Sequence, residues 1–270
     1  MDNVKIYSYS SRSEGAVDLA RALECDIILS SSRPARDKII INWGSGHMPF
    51  TSHNTLNSKD AVNRSINKID TFTALRRAGV PHPEWTTSRT EAQRWLTEGS
   101  RVCVRTEVEG ADGAGLTIVN PVTAVQQPAG GRWWAQPPVR AIPVLPSASL
   151  YTKFMAASDE YRVNVCCGEV MGVQSKVRAS DFRGTLNPDI KTSSGGYGFH
   201  LMERRDWPAG IGEVAINAVN ALDLDFGGID IIRVGARYYV LESNTAPTLT
   251  PAMVTAYANR FRQVCAPRTR

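Results

Sequence analysis

Two apolar runs near the C-terminal end, residues 228–234 and 238–244, are separated only by a short turn at Gly235-Ala236, and they constrain the fold more than any other feature. Runs rich in β-branched and aromatic residues on either side of a glycine turn read as the two strands of an antiparallel hairpin. Alternate residues of a strand share a face, so Glu242 and Asn244 point the same way. A turn centred near Gly235 brings Asp230 roughly opposite Glu242, on that same face. Two carboxylates and an amide among Ile231, Val240 and Leu241 are costly to bury unless a cation neutralises them. Hard oxygen donors of this kind suit Mg²⁺, which keeps some of its waters and bridges to substrate phosphates. The competing reading is a wet sheet face with three surface side chains.

Upstream, residues 4–9 read as a strand, 14–23 as a helix, and 26–29 and 38–43 as two further strands, a spacing that suits a small Rossmann-like lobe. Gly44-Ser45-Gly46 lacks the later glycine and helix of a dinucleotide loop and marks a strand-end turn. Residues 57–67 are polar, with few core candidates. A helix is expected over 69–78, with Ile69, Phe72 and Leu75 turned inward, stopped at Gly79 and kept from continuing by Pro81 and Pro83. A short helix over 91–97 and a strand over 101–106 follow. Residues 125–150 hold many prolines, Gly130-Gly131 and Trp133-Trp134, and form the expected joint between lobes. A strand over 161–167 turns at Gly168-Glu169 into a partner over 170–177. Residues 181–197 read as a polar loop over a site, 212–222 as a helix and 251–264 as the closing helix.

The chain of 270 residues is long enough for one compact unit or for two to three small lobes. Its net charge of +5 suits anionic ligands such as nucleotide phosphates. The basic residues are dispersed, with only short pairs such as Arg76-Arg77 and Arg204-Arg205, which gives a nucleic-acid groove little support. No apolar run is long enough to span a bilayer, and the first residues lack a secretory signal, so a cytoplasmic protein is expected. The five cysteines form no CxxC pair and read as buried reduced thiols, and the four histidines show no metal-ligand spacing. A zinc enzyme is not expected.

Asp230, followed by Val240-Leu241-Glu242-Ser243-Asn244-Thr245-Ala246-Pro247, resembles the metal-binding end of ATP-grasp ligases. That group includes D-alanine–D-alanine ligase and the ligases that add glutamate to a ribosomal protein. The overall pattern is most similar to ATP-grasp proteins of tailed bacteriophages, and the likeness runs from Asn42-Trp43-Gly44 to Thr250. It implies an α/β (α+β) ATP-grasp fold with an N-terminal Rossmann-like lobe over 1–60, a central lobe with a glycine-rich flap over 61–148, and a C-terminal lobe with the metal site over 149–270. Asp230, Glu242 and Asn244 are then ligands of one or two Mg²⁺ ions, or of Mn²⁺ in their place. Lys68 matches a phosphate-contacting lysine, and Arg105 stands where a second lysine is usual. The loop Glu109 to Gly115, with Gly113, resembles the flap over the phosphates. Thr152 and Lys153 look like the adenine hinge, and Glu160 the acceptor of the ribose hydroxyls. Arg162, Lys176 and Arg178 lie on paired strands that in the family face the nucleotide, with Arg162 and Lys176 as phosphate contacts. Lys191 belongs to the loop expected to capture substrate.

The resemblance implies activation of a carboxylate by ATP and its joining to an amine. The acid would be a small molecule, and the amine a small molecule, peptide or protein. A homodimer is implied by the habit of related ligases, and a host-cell cytoplasm if the chain is phage-encoded. Three departures stand out: Gly228 where D-alanine–D-alanine ligase has an arginine, Lys191 where arginine is common, and Thr248 in place of a glycine. They bear on the acceptor site, and a kinase on the same fold or a non-catalytic nucleotide binder are the rival readings.

Overall fold

The computed structural model describes residues 1, 3–29, 34–35, 37–50, 54–109, 113–121 and 142–266. In chain order its elements begin with β1 (Val4–Ser8), α1 (Glu14–Leu23), β2 (Asp26–Ile28), β3 (Ile39–Trp43), β4 (Thr55–Leu56), α2 (Lys59–Ile66) and α3 (Lys68–Arg77). Next come β5 (Trp85–Thr86), α4 (Arg89–Thr97), β6 (Val102–Arg105), β7 (Leu116–Val119) and β8 (Leu150–Lys153). The last third holds β9 (Asp159–Cys166), β10 (Glu169–Arg178), β11 (Tyr197–Leu201), α5 (Ile211–Ala221), β12 (Phe226–Val234), β13 (Arg237–Asn244) and α6 (Pro251–Val264). Among the described residues no helix is long and apolar enough to cross a membrane.

The chain divides into two compact units, residues 1–82 with 157–270, and residues 83–156. In the larger unit β2-β1-β3-β4 form a parallel sheet, and β11-β10-β9-β12-β13 an antiparallel one. Crossover helices are needed between parallel strands, and α1 supplies the first, burying Ala16, Leu19, Ala20 and Leu23. One apolar cluster gathers these residues with Trp43, Cys166, Phe226, Tyr257 and Phe261. Trp43 stacks on Phe226, and Tyr257 and Phe261 meet Phe226 edge-on. In the smaller unit β5-β8-β6-β7 form a sheet whose core is Ala92, Trp95, Leu96, Val102, Val104, Leu145 and Tyr151.

Several expectations need correcting. The polar stretch over 57–67 contains a helix, α2, capped by the Ser58 hydroxyl and burying Ala61, Val62 and Ser65. Helix α3 starts at Lys68, where the Asn67 side chain accepts from the amides of Ile69 and Asp70, and it buries Lys68, Thr71, Phe72 and Leu75 while Ile69 is only half-buried. The β9–β10 turn falls at Cys167-Gly168, both at positive φ, so each strand is longer than expected. Residues 197–201, placed partly in a loop by sequence, form the edge strand β11. Most of the proposed joint, residues 125–141 with the glycine and tryptophan pairs, lies outside the described residues.

Candidate active site

The site grows from the register of three strands. Arg162 of β9, Asp230 of β12 and Glu242 of β13 stand in line across the sheet, with Gln174 of β10 beyond Arg162. The next row holds Asn164, Gly228 and Asn244. A register shift between Asp230 and Ile231 moves both rows by one residue relative to the turn, and so sets Glu242 rather than Leu241 opposite Asp230. Side-chain alternation therefore gathers Glu160, Arg162, Asn164, Asp230, Glu242 and Asn244 on one face.

Asp230 is only 3 % exposed. Arg162 grips it with two parallel bonds, Nε donating to Oδ1 at 2.6 Å and Nη2 to Oδ2 at 2.8 Å, a geometry only a guanidinium provides. Burial pushes the Asp230 carboxyl up to about 6, against the pull of Arg162 and with a further push from the charge of Glu242. For Arg162 burial works against the charge, yet Asp230, Glu242 and Glu160 outweigh it and raise its affinity for the proton. Two more pairs complete the cluster: Lys176 donates to Glu160 at 2.5 Å, and the nearly buried Lys68 donates to Glu242 at 3.2 Å. Five of these groups stand on one sheet face, Lys68 reaches Glu242 from α3, and the three cations and three carboxylates balance in charge.

Phe199, which the sequence reading missed, belongs to the cluster. It lies across from Lys176 on β11. The Arg162 guanidinium carbon sits 4.2 Å from its ring centroid and the Lys176 ammonium 5.2 Å, both within cation–π range. Gly228 is closely covered: a Cβ there would lie 3.1 Å from Pro247 Cβ, 3.2 Å from Arg162 Cδ and 3.3 Å from Asn164 Oδ1. The stem of Arg162 therefore runs over Gly228. Beneath it, Asn164 donates to Gln174, and both are buried.

Other expected residues lie elsewhere. Arg178 is exposed and donates to the carbonyl of Phe182 in the following loop, away from the three pairs. Lys191 lies near Asp159: burial raises that carboxyl, but bonds from Ser158 and Arg233 and the charges of Arg233 and Lys191 leave it below the usual range. In the smaller unit Lys153 pairs with Glu84 at 2.6 Å. Thr152 is buried on β8, and Arg105 ends β6 beside Leu116 and Leu150. Gly113, at positive φ, sits in the β6–β7 hairpin, which Thr106 closes by donating its amide to Gly115; residues 110–112 of the expected flap lie outside the described residues.

The donor set fits a hard cation. Asp230 and Glu242 are direct cross-strand neighbours, and Asn244 follows on the same face with its amide oxygen as the third hard donor. Among the described residues no three histidine, cysteine, aspartate or glutamate side chains converge as metal ligands, so a centre here depends on the amide of Asn244 as third donor.

Residues 147–259 match the family described as RimK-like ATP-grasp domain. No curated protein matches the chain by sequence. Among solved structures, the ATP-grasp ligase PsnB in complex with a minimal precursor is similar at 14% identity and TM-score 0.63, over 97% of this chain and 98% of that one. D-alanine–D-alanine ligase of Bacillus anthracis is similar at 13% identity and TM-score 0.58, over 98% of this chain and all of that one, 100%. The macrocyclase MdnC of Microcystis aeruginosa, bound to the precursor peptide MdnA, is similar at 12% identity and TM-score 0.56, over 98% and 100% of the two chains. Likeness at this identity is likeness of fold.

Proposed function

Starting from a chain that has the ATP-grasp fold and carries a RimK-like ATP-grasp domain over residues 147–259, we propose that it is an ATP-dependent ligase joining a carboxylate to an amine. The observation that carries this reading is the line Arg162, Asp230, Glu242 with Lys176 and Glu160 beside it, all inside the matched domain, and Lys68 paired with Glu242 from outside it. In this reading residues 1–60 are the lobe before the ATP-grasp core, 61–148 the central lobe and 149–270 the C-terminal lobe.

Asp230, Glu242 and Asn244 would hold one or two Mg²⁺ ions, with Mn²⁺ an adequate substitute. When bound, the ion neutralises negative charge on the nucleotide's terminal phosphates. The chain's own residues do the rest. Arg162, Lys176 and Lys68 turn from their carboxylate partners to phosphate oxygens, which keeps each cation paired. Glu160, released by Lys176, accepts the ribose hydroxyls. Arg105, Gly113, Thr152 and Lys153 are nucleotide contacts by the same resemblance. A substrate carboxylate oxygen attacks the γ-phosphorus and ADP leaves, giving an acyl phosphate. An amine then attacks the acyl carbon, phosphate leaves, the amine gives up a proton, and an amide remains. Positioning and electrostatics supply most of the acceleration. Arg178, at the end of β10, belongs to the strands that face the nucleotide, and Lys191 to the loop that captures substrate. PsnB and MdnC, solved with a precursor and a precursor peptide, support a peptide or protein as one partner. In the same reading the reaction takes place in the cytoplasm.

Mass spectrometry after incubation with Mg-ATP and a metabolite and peptide extract tests this. An amide-linked product formed together with ADP and phosphate is expected. A stable phosphorylated product would make the protein a kinase, and ATP binding without ADP formation would make it a non-catalytic binder.

A further inference from the structure

Among the described residues, Phe199 is the aromatic side chain that touches two of the site's cations from a third strand. Arg162 is fixed on β9 and Lys176 on β10, and neither shares a strand with the ring. Each cation already has a carboxylate, so the ring is not needed to neutralise charge. What it adds is direction: the quadrupole of a phenyl face attracts a cation along the ring normal while leaving its N–H groups free to donate elsewhere. Phe199 is half-buried, and its strand is anchored at the start by tight packing. Gly196 has φ +86° and lies directly under the Phe182 ring, where an added Cβ would sit 2.2 Å from Cδ1. Arg178 in turn donates to the Phe182 carbonyl. The loop after β10 is thus tied back onto β10, and β11 is delivered with Phe199 across from Lys176.

We infer that Phe199 is a positioning residue for phosphate binding. It holds Arg162 and Lys176 over the sheet face so that both keep their aim when their carboxylate partners are given up to other ligands. The inference rests on the nucleotide reading above and adds to it a residue that neither carries charge nor touches ATP in that reading.

Replacement of Phe199 by phenylalanines carrying increasing numbers of ring fluorines tests this, because fluorination drains the negative face and keeps the shape. Binding of Mg-ATP, magnesium tripolyphosphate and adenosine is measured by calorimetry on the full chain. Affinity for ATP and tripolyphosphate is expected to fall stepwise, roughly three- to tenfold in total, while adenosine binding stays constant. Phe199→Tyr keeps both, and Phe199→Met, similar in bulk without the quadrupole, loses the phosphate-bearing ligands. A flat response of ATP and tripolyphosphate across the fluorine series overturns the inference, as does a parallel loss of adenosine, which would make the ring a stacking surface for the base. If the wild-type chain binds neither ATP nor tripolyphosphate, the nucleotide reading itself fails, a result distinct from a flat series in a wild type that binds both.

Discussion

Asp230 is buried between the Arg162 guanidinium and the Glu242 carboxylate, so its substitutions separate fold from chemistry. Asp230→Ala strands the Arg162 charge and should cost about 3–5 kcal/mol of stability, as loss of one member of a buried pair does. Asp230→Asn keeps the shape and one acceptor, and Glu242→Gln alters a partly exposed group whose pairing is worth about 1 kcal/mol or less. Both are expected to fold and to lose ATP turnover, read by thermal melting alongside an ADP assay. Wild-type turnover in both would remove the metal assignment. Gly228→Ala brings a methyl against Pro247, Arg162 and Asn164, and overpacking of that kind should lower the urea midpoint by about 1–3 kcal/mol in stability terms. The sequence reading paired Asp230 with Glu242, but the reason lies outside it: the Gly235-Ala236 turn alone would set Asp230 opposite Leu241, and a bulge between Asp230 and Ile231 moves the register by one residue to Glu242. The grip of Arg162 on Asp230 was not legible, since it depends on which strand lies beside β12. Phe199 was invisible for the same reason: nothing in Tyr-Gly-Phe-His-Leu says that it faces Lys176 across a sheet.

Among the elements, those with strong local signals were read closely. Helix α6 begins at Pro251 behind the Thr250 cap, and α1 runs from Glu14 to Leu23, both as expected. Helix α2 was missed because its buried face is Ala61, Val62 and Ser65, too small and polar to show helical periodicity. The β9–β10 turn was misplaced because Cys167, a residue that rarely takes positive φ, does so here at +47°. The link between β10 and β11 makes its own prediction. Gly196→Ala combines a disfavoured φ with a clash against the Phe182 ring. It should cost about 1 kcal/mol or more and, by loosening β11, weaken ATP binding more than adenosine binding, measured by the same calorimetry. Asn67→Ala removes a cap from α3, the helix carrying Lys68, and should cost about 1 kcal/mol in chemical denaturation.

Across the molecule, the fold class was legible because strand and helix runs alternate in the first third and hairpins dominate the last, whereas the discontinuous make-up of the larger unit, residues 1–82 with 157–270, was not. It depends on contacts such as that of Asn57, whose side chain accepts from the amides of Asp225 and Phe226. Stability should also depend on pH through Asp159, whose carboxyl is held below its usual value. The stability it contributes is fully present above the ordinary carboxylate range and is lost as pH falls through the lowered value. Denaturation midpoints of wild type and Asp159→Asn should therefore differ at neutral pH and converge in acid. The decisive experiment is anomalous diffraction from crystals grown with Mn²⁺ and a nonhydrolysable ATP analogue. The account predicts manganese within bonding distance of Asp230, Glu242 and Asn244, with Arg162 and Lys176 on phosphate oxygens. Nucleotide bound elsewhere, with Arg162 still gripping Asp230 and no manganese beside it, would contradict it.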